Sequence, residues 1–157
     1  MFDITEPFHV GIIVADLDAA MADYSAATGC TWHSMQSRDV TLRIDGGLLS
    51  THVMFNYSVE GPVQLELVQG LPGTPWDAAV HGGVDHLGYW SDDFQGDMAA
   101  LGAAGWEFLY GADDEEGGVG GFCFYMTPAG QRVELLDVEM RPMFERWFAG
   151  GSFDEPA

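Results

Sequence analysis

Two histidines of this chain stand in short segments that repeat one another. The segments read HVGIIVADL at residues 9–17 and HLGYWSDDF at residues 86–94, an offset of 77 residues that matches His9 with His86. The same offset pairs further identical residues: Gly11 with Gly88, Asp16 with Asp93, and Met21 with Met98. A chain built from two copies of one unit places these histidines at corresponding positions.

Each copy also ends in a strand-like run that contains one acid. The run at residues 63–68 contains Glu66, and the run at residues 131–136 contains Glu134. Two histidines and two glutamates can hold one divalent metal ion, and this donor set suits Zn, Mn, Co, Ni or Fe without choosing among them. The repeat therefore predicts a metal site assembled from both copies.

Strand periodicity predicts that the four candidate ligands share one face of the sheet. Side chains alternate between the two faces of a strand. The apolar neighbours of each candidate suit packing against helices, so His9, Glu66, His86 and Glu134 point the other way. An ionised glutamate on a half-buried strand is costly unless it is paired or bound to a metal. If the sheet curls, the four side chains converge inside it.

Four further residues are candidates for the wall of a substrate pocket. His52 and Asn56 share one face of a predicted strand at residues 52–58 and can line the cavity. Gln64 lies two residues from Glu66 on the same face, and it is an alternative ligand to Glu66. Trp90 shares the face of His86. His33 and His81 lie on no shared face and are not expected to bind the metal.

The rest of the sequence predicts an α+β fold of two βαβββ modules that form a curled, cup-like sheet of eight strands. The first module covers residues 1–69, a connection rich in Gly and Pro covers 70–83, and the second module covers 84–138. Asp16 is a candidate N-cap and Gly29 ends the first helix. Candidate strands are 8–14, 31–36, 40–44, 52–58, 63–69, 84–90, 106–110, 121–127 and 131–138, with a second helix at 93–104 and a loop at 111–121.

Residues 139–157 form a C-terminal element of a different kind. An apolar stripe at helical spacing predicts an amphipathic helix, and it consists of Met140, Met143, Phe144, Trp147 and Phe148. The stripe needs cover, either from the chain's own sheet or from a second subunit. Together with the exposed edge strand of an open cup, it leads us to expect a homodimer.

The net charge of the chain limits the classes of partner that it can bind. It has 25 acidic residues and 5 arginines, no lysine, and a formal net charge of −20. This charge opposes binding to nucleic acid and to anionic membranes, and the missing lysine excludes Schiff-base and P-loop chemistry. We see no apolar run long enough to span a bilayer and no secretory signal, so we expect a cytoplasmic protein. Cys30 and Cys123 belong to no metal motif and are expected to be buried thiols.

The motifs HVGIIVADLD from His9, GVDHLGYWSDD from Gly83 and TPAGQRVELLD from Thr127 resemble the vicinal oxygen chelate superfamily. This superfamily includes glyoxalase I, methylmalonyl-CoA epimerase, extradiol dioxygenases and bleomycin- or fosfomycin-resistance proteins. The resemblance covers about residues 7–138. It implies two βαβββ modules whose sheets form a cup around a metal, with His9, Glu66, His86 and Glu134 as ligands. The family register favours Glu66 over Gln64.

The resemblance leaves three functions open. The first is an isomerase, epimerase or lyase that abstracts a proton beside a carbonyl, with Glu66 or Glu134 as the base and the metal stabilising an enolate. The second is an Fe(II)-dependent ring-cleaving dioxygenase that uses His9, His86 and Glu134. The third is a ligand-binding or drug-resistance protein without catalysis. In each case the expected partner is a small molecule, which in the enzymes presents adjacent oxygens to the metal.

Overall fold

The computed structural model describes residues 1–153 as a barrel of eight strands with four helices and one 3₁₀ turn. The elements are β1 His9–Val14, α1 Leu17–Thr28, β2 Gln36–Ile44, β3 Gly47–Tyr57, β4 Gln64–Gln69, α2 Ala78–His81, β5 Gly83–Ser91, α3 Phe94–Ala103, β6 Glu107–Asp113, β7 Val119–Met126, β8 Arg132–Asp137, the 3₁₀ turn Val138–Met140, and α4 Arg141–Phe148. The predicted α+β fold with a curled eight-stranded sheet is confirmed.

The barrel consists of two four-stranded halves joined at two seams. Its strand order is β1-β4-β3-β2-β6-β7-β8-β5, and it is closed. Within the halves, β1 runs parallel to β4 and β5 runs parallel to β8. The seams are the antiparallel pairs β1–β5 and β2–β6. The strands β4, β1, β5 and β8 are therefore consecutive neighbours, and they are the strands that carry the four candidate ligands.

The two main helices pack on the outside of the barrel. The side chain of Asp16 accepts a hydrogen bond from the Ala19 amide, so it caps α1 as predicted, and Gly29 ends this helix with a left-handed φ of 78°. Leu17 is buried with Ile12 and Leu67 under α1. On the other half, α3 packs against the outer face of β6 and β8. The inner face of the central strands is thus left to the barrel interior.

Three local predictions need correction. Residues 31–35 do not form a strand: in this stretch Trp32 makes an isolated bridge with Ser58, and residue 36 already belongs to β2. The predicted strand 40–44 begins earlier, at Gln36, and β3 begins at Gly47 rather than at residue 52, because these two strands form one long hairpin. The predicted loop 111–121 is shorter, since β6 continues to Asp113 and β7 starts at Val119.

The C-terminal helix α4 packs over the barrel interior of its own chain. Phe144 is 3% exposed and Trp147 is 1% exposed, and both belong to the core cluster that contains Ile13 and Tyr57. The apolar stripe is covered without a second subunit, and a closed barrel has no free edge strand. Both reasons for expecting a homodimer are therefore wrong, and the homodimer itself stays a prediction. Among residues 1–153, no helix is long and apolar enough to cross a membrane.

Candidate metal centre

His9, Glu66, His86 and Glu134 meet inside the barrel. All four are buried, and one potential ligand atom from each lies within 4.8 Å of the others. The Nε2 atoms of His9 and His86 are 3.1 Å apart. Glu134 Oε2 lies 2.9 Å from His9 Nε2 and 3.3 Å from His86 Nε2, and Glu66 Oε2 lies 3.4 and 3.1 Å from the same two atoms. The structure thus brings together the four residues that the repeat singles out.

These distances fit a shared divalent ion. Ligand atoms about 2.1 Å from a metal lie roughly 3 Å apart at right angles and roughly 4.2 Å apart when opposite. The observed separations of 2.9 to 3.4 Å match neighbouring positions around one ion. Two buried carboxylates also need a compensating positive charge. The donor set therefore fits a metal on geometry and on charge, and His9, Glu66, His86 and Glu134 would hold it.

Two glycines make room for the histidine rings. Across the β1–β5 seam, Gly11 is paired with His86 and Gly88 is paired with His9. A Cβ atom on Gly11 would lie 1.9 Å from the His86 ring, and one on Gly88 would lie 2.0 Å from the His9 ring. Each imidazole therefore lies against a backbone that only glycine leaves open, which explains why the repeat contains glycine two residues after histidine.

The ring of His86 is also held from behind by an ion pair that the sequence analysis missed. The register of β1 against β5 shifts between Gly11 and Ile12, which leaves Asp85 as an extra residue in β5. Such a bulge re-aims a side chain. Asp85 Oδ2 lies 3.0 Å from His86 Nδ1, and Asp85 Oδ1 accepts a hydrogen bond of 2.6 Å from Arg132. The only signal in the sequence was an acid directly before His86 and an arginine two residues before Glu134.

The protonation of the centre follows from these contacts. Burial alone would lower the pKa of His86, but hydrogen bonds to Asp85, Glu134 and Glu66 outweigh it and raise that pKa well above its usual value. Burial would raise the pKa of Glu134, but the two histidines lower it to about 2. In the metal-free chain His86 is therefore a cation between carboxylates, and a metal ion would take over that role.

The centre lies at one side of a cavity of about 250 Å³. Most of the side chains that line this cavity are apolar, and many of them come from β2, β3, β7 and the residues that follow β8. Tyr57 stands between the wall and the centre, with its ring 5.2 Å from that of His9. Burial and the charges of Glu66 and Glu134 raise the pKa of Tyr57, so it stays a hydrogen-bond donor.

The four residues predicted for a pocket wall do not line this cavity. The facing prediction for β3 was wrong: Val53, Phe55 and Tyr57 point inward, while His52 is exposed and binds Asp39 and Ser37 at 2.8 Å on the outer surface. The other three predicted wall residues also lie outside the cavity. Asn56 lies beneath α1, where its side-chain amide donates a hydrogen bond to the His33 carbonyl, and the side-chain amide of Gln64 donates to the Ser58 carbonyl. Trp90 is half-buried between Phe8 and Phe144.

The sequence matches the Glyoxalase/Bleomycin resistance protein/Dioxygenase superfamily over residues 8–136. The match includes every strand except the last residue of β8, and all four candidate ligands. The chain therefore belongs to this superfamily, the vicinal oxygen chelate superfamily, as the sequence motifs predicted. No match was found among curated proteins.

Solved structures with the same fold include enzymes of different reactions. A methylmalonyl-CoA epimerase in complex with methylmalonyl-CoA and NH4+ is 20% identical, with a TM-score of 0.58 over 84% of this chain and 93% of its own. The methylmalonyl-CoA epimerase from Mycobacterium tuberculosis is 21% identical, with a TM-score of 0.57 over 87% and 92%. A mutant of 4-hydroxymandelate synthase from Streptomyces coelicolor is 19% identical, with a TM-score of 0.56 over 83% and 47%. At these identities the likeness shows the fold alone.

Proposed function

We propose that this protein is a metal-dependent enzyme that moves a proton on a carbon next to a carbonyl, as an isomerase, epimerase or lyase. The observation that carries the proposal is the convergence of four buried donors at the side of a cavity large enough for a small molecule. A bound divalent ion supplies Lewis-acid stabilisation of an enolate. The expected substrate presents two adjacent oxygens to the centre.

The chain's own residues supply the other requirements of this chemistry. Glu66 and Glu134 both face the cavity, so either can accept the proton from the neighbouring carbon. The Tyr57 hydroxyl stands beside Glu66 as a donor that stays protonated. The apolar walls exclude water, which strengthens electrostatic interactions inside the cavity. We propose Glu66 and Glu134 as the catalytic candidates and leave the metal open among Zn, Mn, Co, Ni and Fe.

Two alternatives from the same superfamily predict different chemistry. An Fe(II)-dependent dioxygenase would use His9, His86 and Glu134 and needs open positions on its metal, but Glu66 is close enough to fill one of them. A ligand-binding or resistance protein would use only the apolar cavity, and its ligand would leave unchanged. The low identity to the solved structures favours none of the three.

The test combines metal analysis with exchange of the substrate proton. Chelator-free protein is analysed for metals, reloaded with Mn, Co, Ni or Zn, and incubated in D2O with a panel of 2-oxo and 2-hydroxy acids. Deuterium at the carbon next to the carbonyl, lost in both Glu66→Gln and Glu134→Gln, supports proton transfer. Oxygen uptake with catechols on the Fe(II) form would support the dioxygenase instead. Tight binding of probes without exchange or oxidation would support the binding protein.

A further inference from the structure

The wall of the cavity is completed by a segment that lies outside the family pattern. The match to the superfamily ends at residue 136, whereas the C-terminal segment, residues 141–153, follows it. Met143, Phe144 and Phe153 of this segment line the cavity. Phe144 and Phe153 are only 3% and 6% exposed, so they belong to the hydrophobic core and also form part of the cavity wall. The shape of the cavity is therefore decided partly by residues that lie outside the family match.

The C-terminal segment is fixed to the barrel by polar and aromatic contacts. The indole nitrogen of Trp147 donates to the carbonyl and to the hydroxyl of Ser34, at 2.9 and 2.8 Å. The Trp147 ring meets Tyr57 edge-on, with a centroid distance of 5.7 Å. The guanidinium of Arg38 lies 4.4 Å over the ring of Phe153. These contacts hold the segment against β2 and β3, across the opening that the strands leave.

The space left under the C-terminal segment is small. A closed apolar cavity of about 150 Å³ accommodates benzene, and pockets for drug-sized ligands have roughly 300–1,000 Å³. The cavity here has about 250 Å³. It therefore accommodates one ring with a short side chain, or an aliphatic molecule of that size. The limit applies to the part of a ligand that enters the cavity, because the cavity is open to solvent on one side.

We propose that the C-terminal segment restricts the part of the substrate that enters the cavity to a compact, largely apolar group of about one ring and a short side chain. The chelating end of such a molecule faces Glu66, His86 and Glu134, while its apolar part packs against Phe144 and Phe153. This inference rests on the proposed function for the chelating end only. The size limit comes from the cavity itself.

The test is a size series of bidentate oxygen ligands measured by calorimetry on zinc-loaded protein. Benzohydroxamate should bind, and 4-biphenylhydroxamate should bind roughly 10- to 100-fold more weakly, because a second ring has to displace packed side chains. Phe153→Ala opens the wall and should bring the two affinities to within about threefold. Phe148→Ala is the matched control, since Phe148 belongs to the same segment but stacks on His33 outside the cavity.

A second pair of probes separates this inference from the proposed function. Phenol and 4-phenylphenol need no metal, so the same preference for one ring should appear in metal-free protein. Protein that takes up no metal but discriminates between the phenols would refute the metal-dependent function and support the size limit. Equal affinity of the wild type for one-ring and two-ring probes would overturn the size limit whether or not metal binds. Thermal unfolding of each variant shows that it is folded.

Discussion

His9 and His86 occupy corresponding positions in the two modules, yet the surroundings of their Nδ1 atoms differ. In the second module Nδ1 of His86 meets Asp85, which is held by Arg132. In the first module the corresponding neighbours are Phe8 and Gln64, and Nδ1 of His9 is buried without a hydrogen-bond partner. Both modules supply a histidine, a glutamate and a glycine to the centre. They differ in how firmly the histidine ring is oriented and in whether a charged residue contacts its Nδ1 atom.

The two modules therefore share their metal-ligand candidates but differ at the residue directly before the histidine, which is Phe8 in the first and Asp85 in the second. A carboxylate on Nδ1 fixes the ring orientation and the tautomer of a ligating histidine and increases its basicity. By this argument the second module provides the oriented, electron-rich ligand. The first module provides a ligand whose Nδ1 has no polar partner, so packing against Tyr57 and Phe8 orients that side of its ring.

The largest expected effect is common to both modules. His9→Ala and His86→Ala should each abolish the binding of about one metal ion per chain, because the four donors act as one set. The loss should exceed the 10- to 100-fold that removal of an outer partner costs. His33→Ala and His81→Ala are the controls and should bind metal normally. Calorimetric titration of the four variants with zinc checks this, and equal affinities in all four would refute the site.

The glycines should give the next largest effect. Gly11→Ala puts a methyl group into the ring of His86, and Gly88→Ala puts one into the ring of His9. Both rings must move, so both variants should lose most of their metal affinity and some free energy of unfolding. Gly102→Ala is the control, because a Cβ there meets open space in α3, and it should stabilise the fold by about 0.5–1 kcal/mol. Zinc titration and thermal unfolding measure both quantities, and a Gly11→Ala protein with native affinity would contradict the packing argument.

Removing the carboxylate behind His86 should break the symmetry of the two modules. Asp85→Asn should lower metal affinity about 10- to 100-fold, while Phe8→Leu, at the corresponding position of the first module, should change it far less. Because Asp85→Asn leaves Arg132 buried without its ion-pair partner, the double variant with Arg132→Gln separates stability from affinity. The nitrogen chemical shifts of the His86 ring report its tautomer. An Asp85→Asn protein with native affinity and native ring shifts would mean that the ion pair has no role at the centre.

The smallest effect is a pH dependence that the second module should dominate. The raised pKa of His86 stabilises the metal-free fold fully below the ordinary value of 6.5, and this stabilisation is lost as the pH rises through the folded-state value. A metal requires the neutral ring, so binding releases a proton and the apparent affinity should rise from pH 6 to pH 8. Calorimetry in buffers of different ionisation enthalpy measures the released protons. The same affinity at both pH values would contradict the raised pKa.

The sequence predicted those parts of the molecule that repeat. The offset between the copies matched the ligand strands and both glycines, and Asp16 and Gly29 marked the ends of α1 by local backbone chemistry. The inward face of β3 was predicted wrongly, because the face with His52 and Asn56 was assigned to the cavity on account of its polar side chains. The cavity wall at β3 is apolar instead, and Val53, Phe55 and Tyr57 form it. Alternation along a strand separates the two faces but does not show which of them a cavity takes.

The interactions that break the repeat were also beyond the sequence. The Asp85 carboxylate reaches His86 because of a one-residue bulge, and nothing in the local sequence marks that bulge. Arg132 looked like an ordinary charge two residues before Glu134. Four predictions from the sequence stay predictions: the roles of the site residues, the bounds of the modules along the chain, the homodimer and the cytoplasmic location.

The position of α4 over the barrel also has a consequence for the order in which the chain is completed. During synthesis, Ile13 and Tyr57 leave the ribosome long before Trp147 and Phe153, which are the residues that cover them. Until residues 141–153 emerge, the nascent barrel exposes an aromatic interior, and that interior is open to ions and to chaperones. We therefore expect the fate of the nascent barrel to be decided when α4 emerges, because the docking of this helix then competes with aggregation.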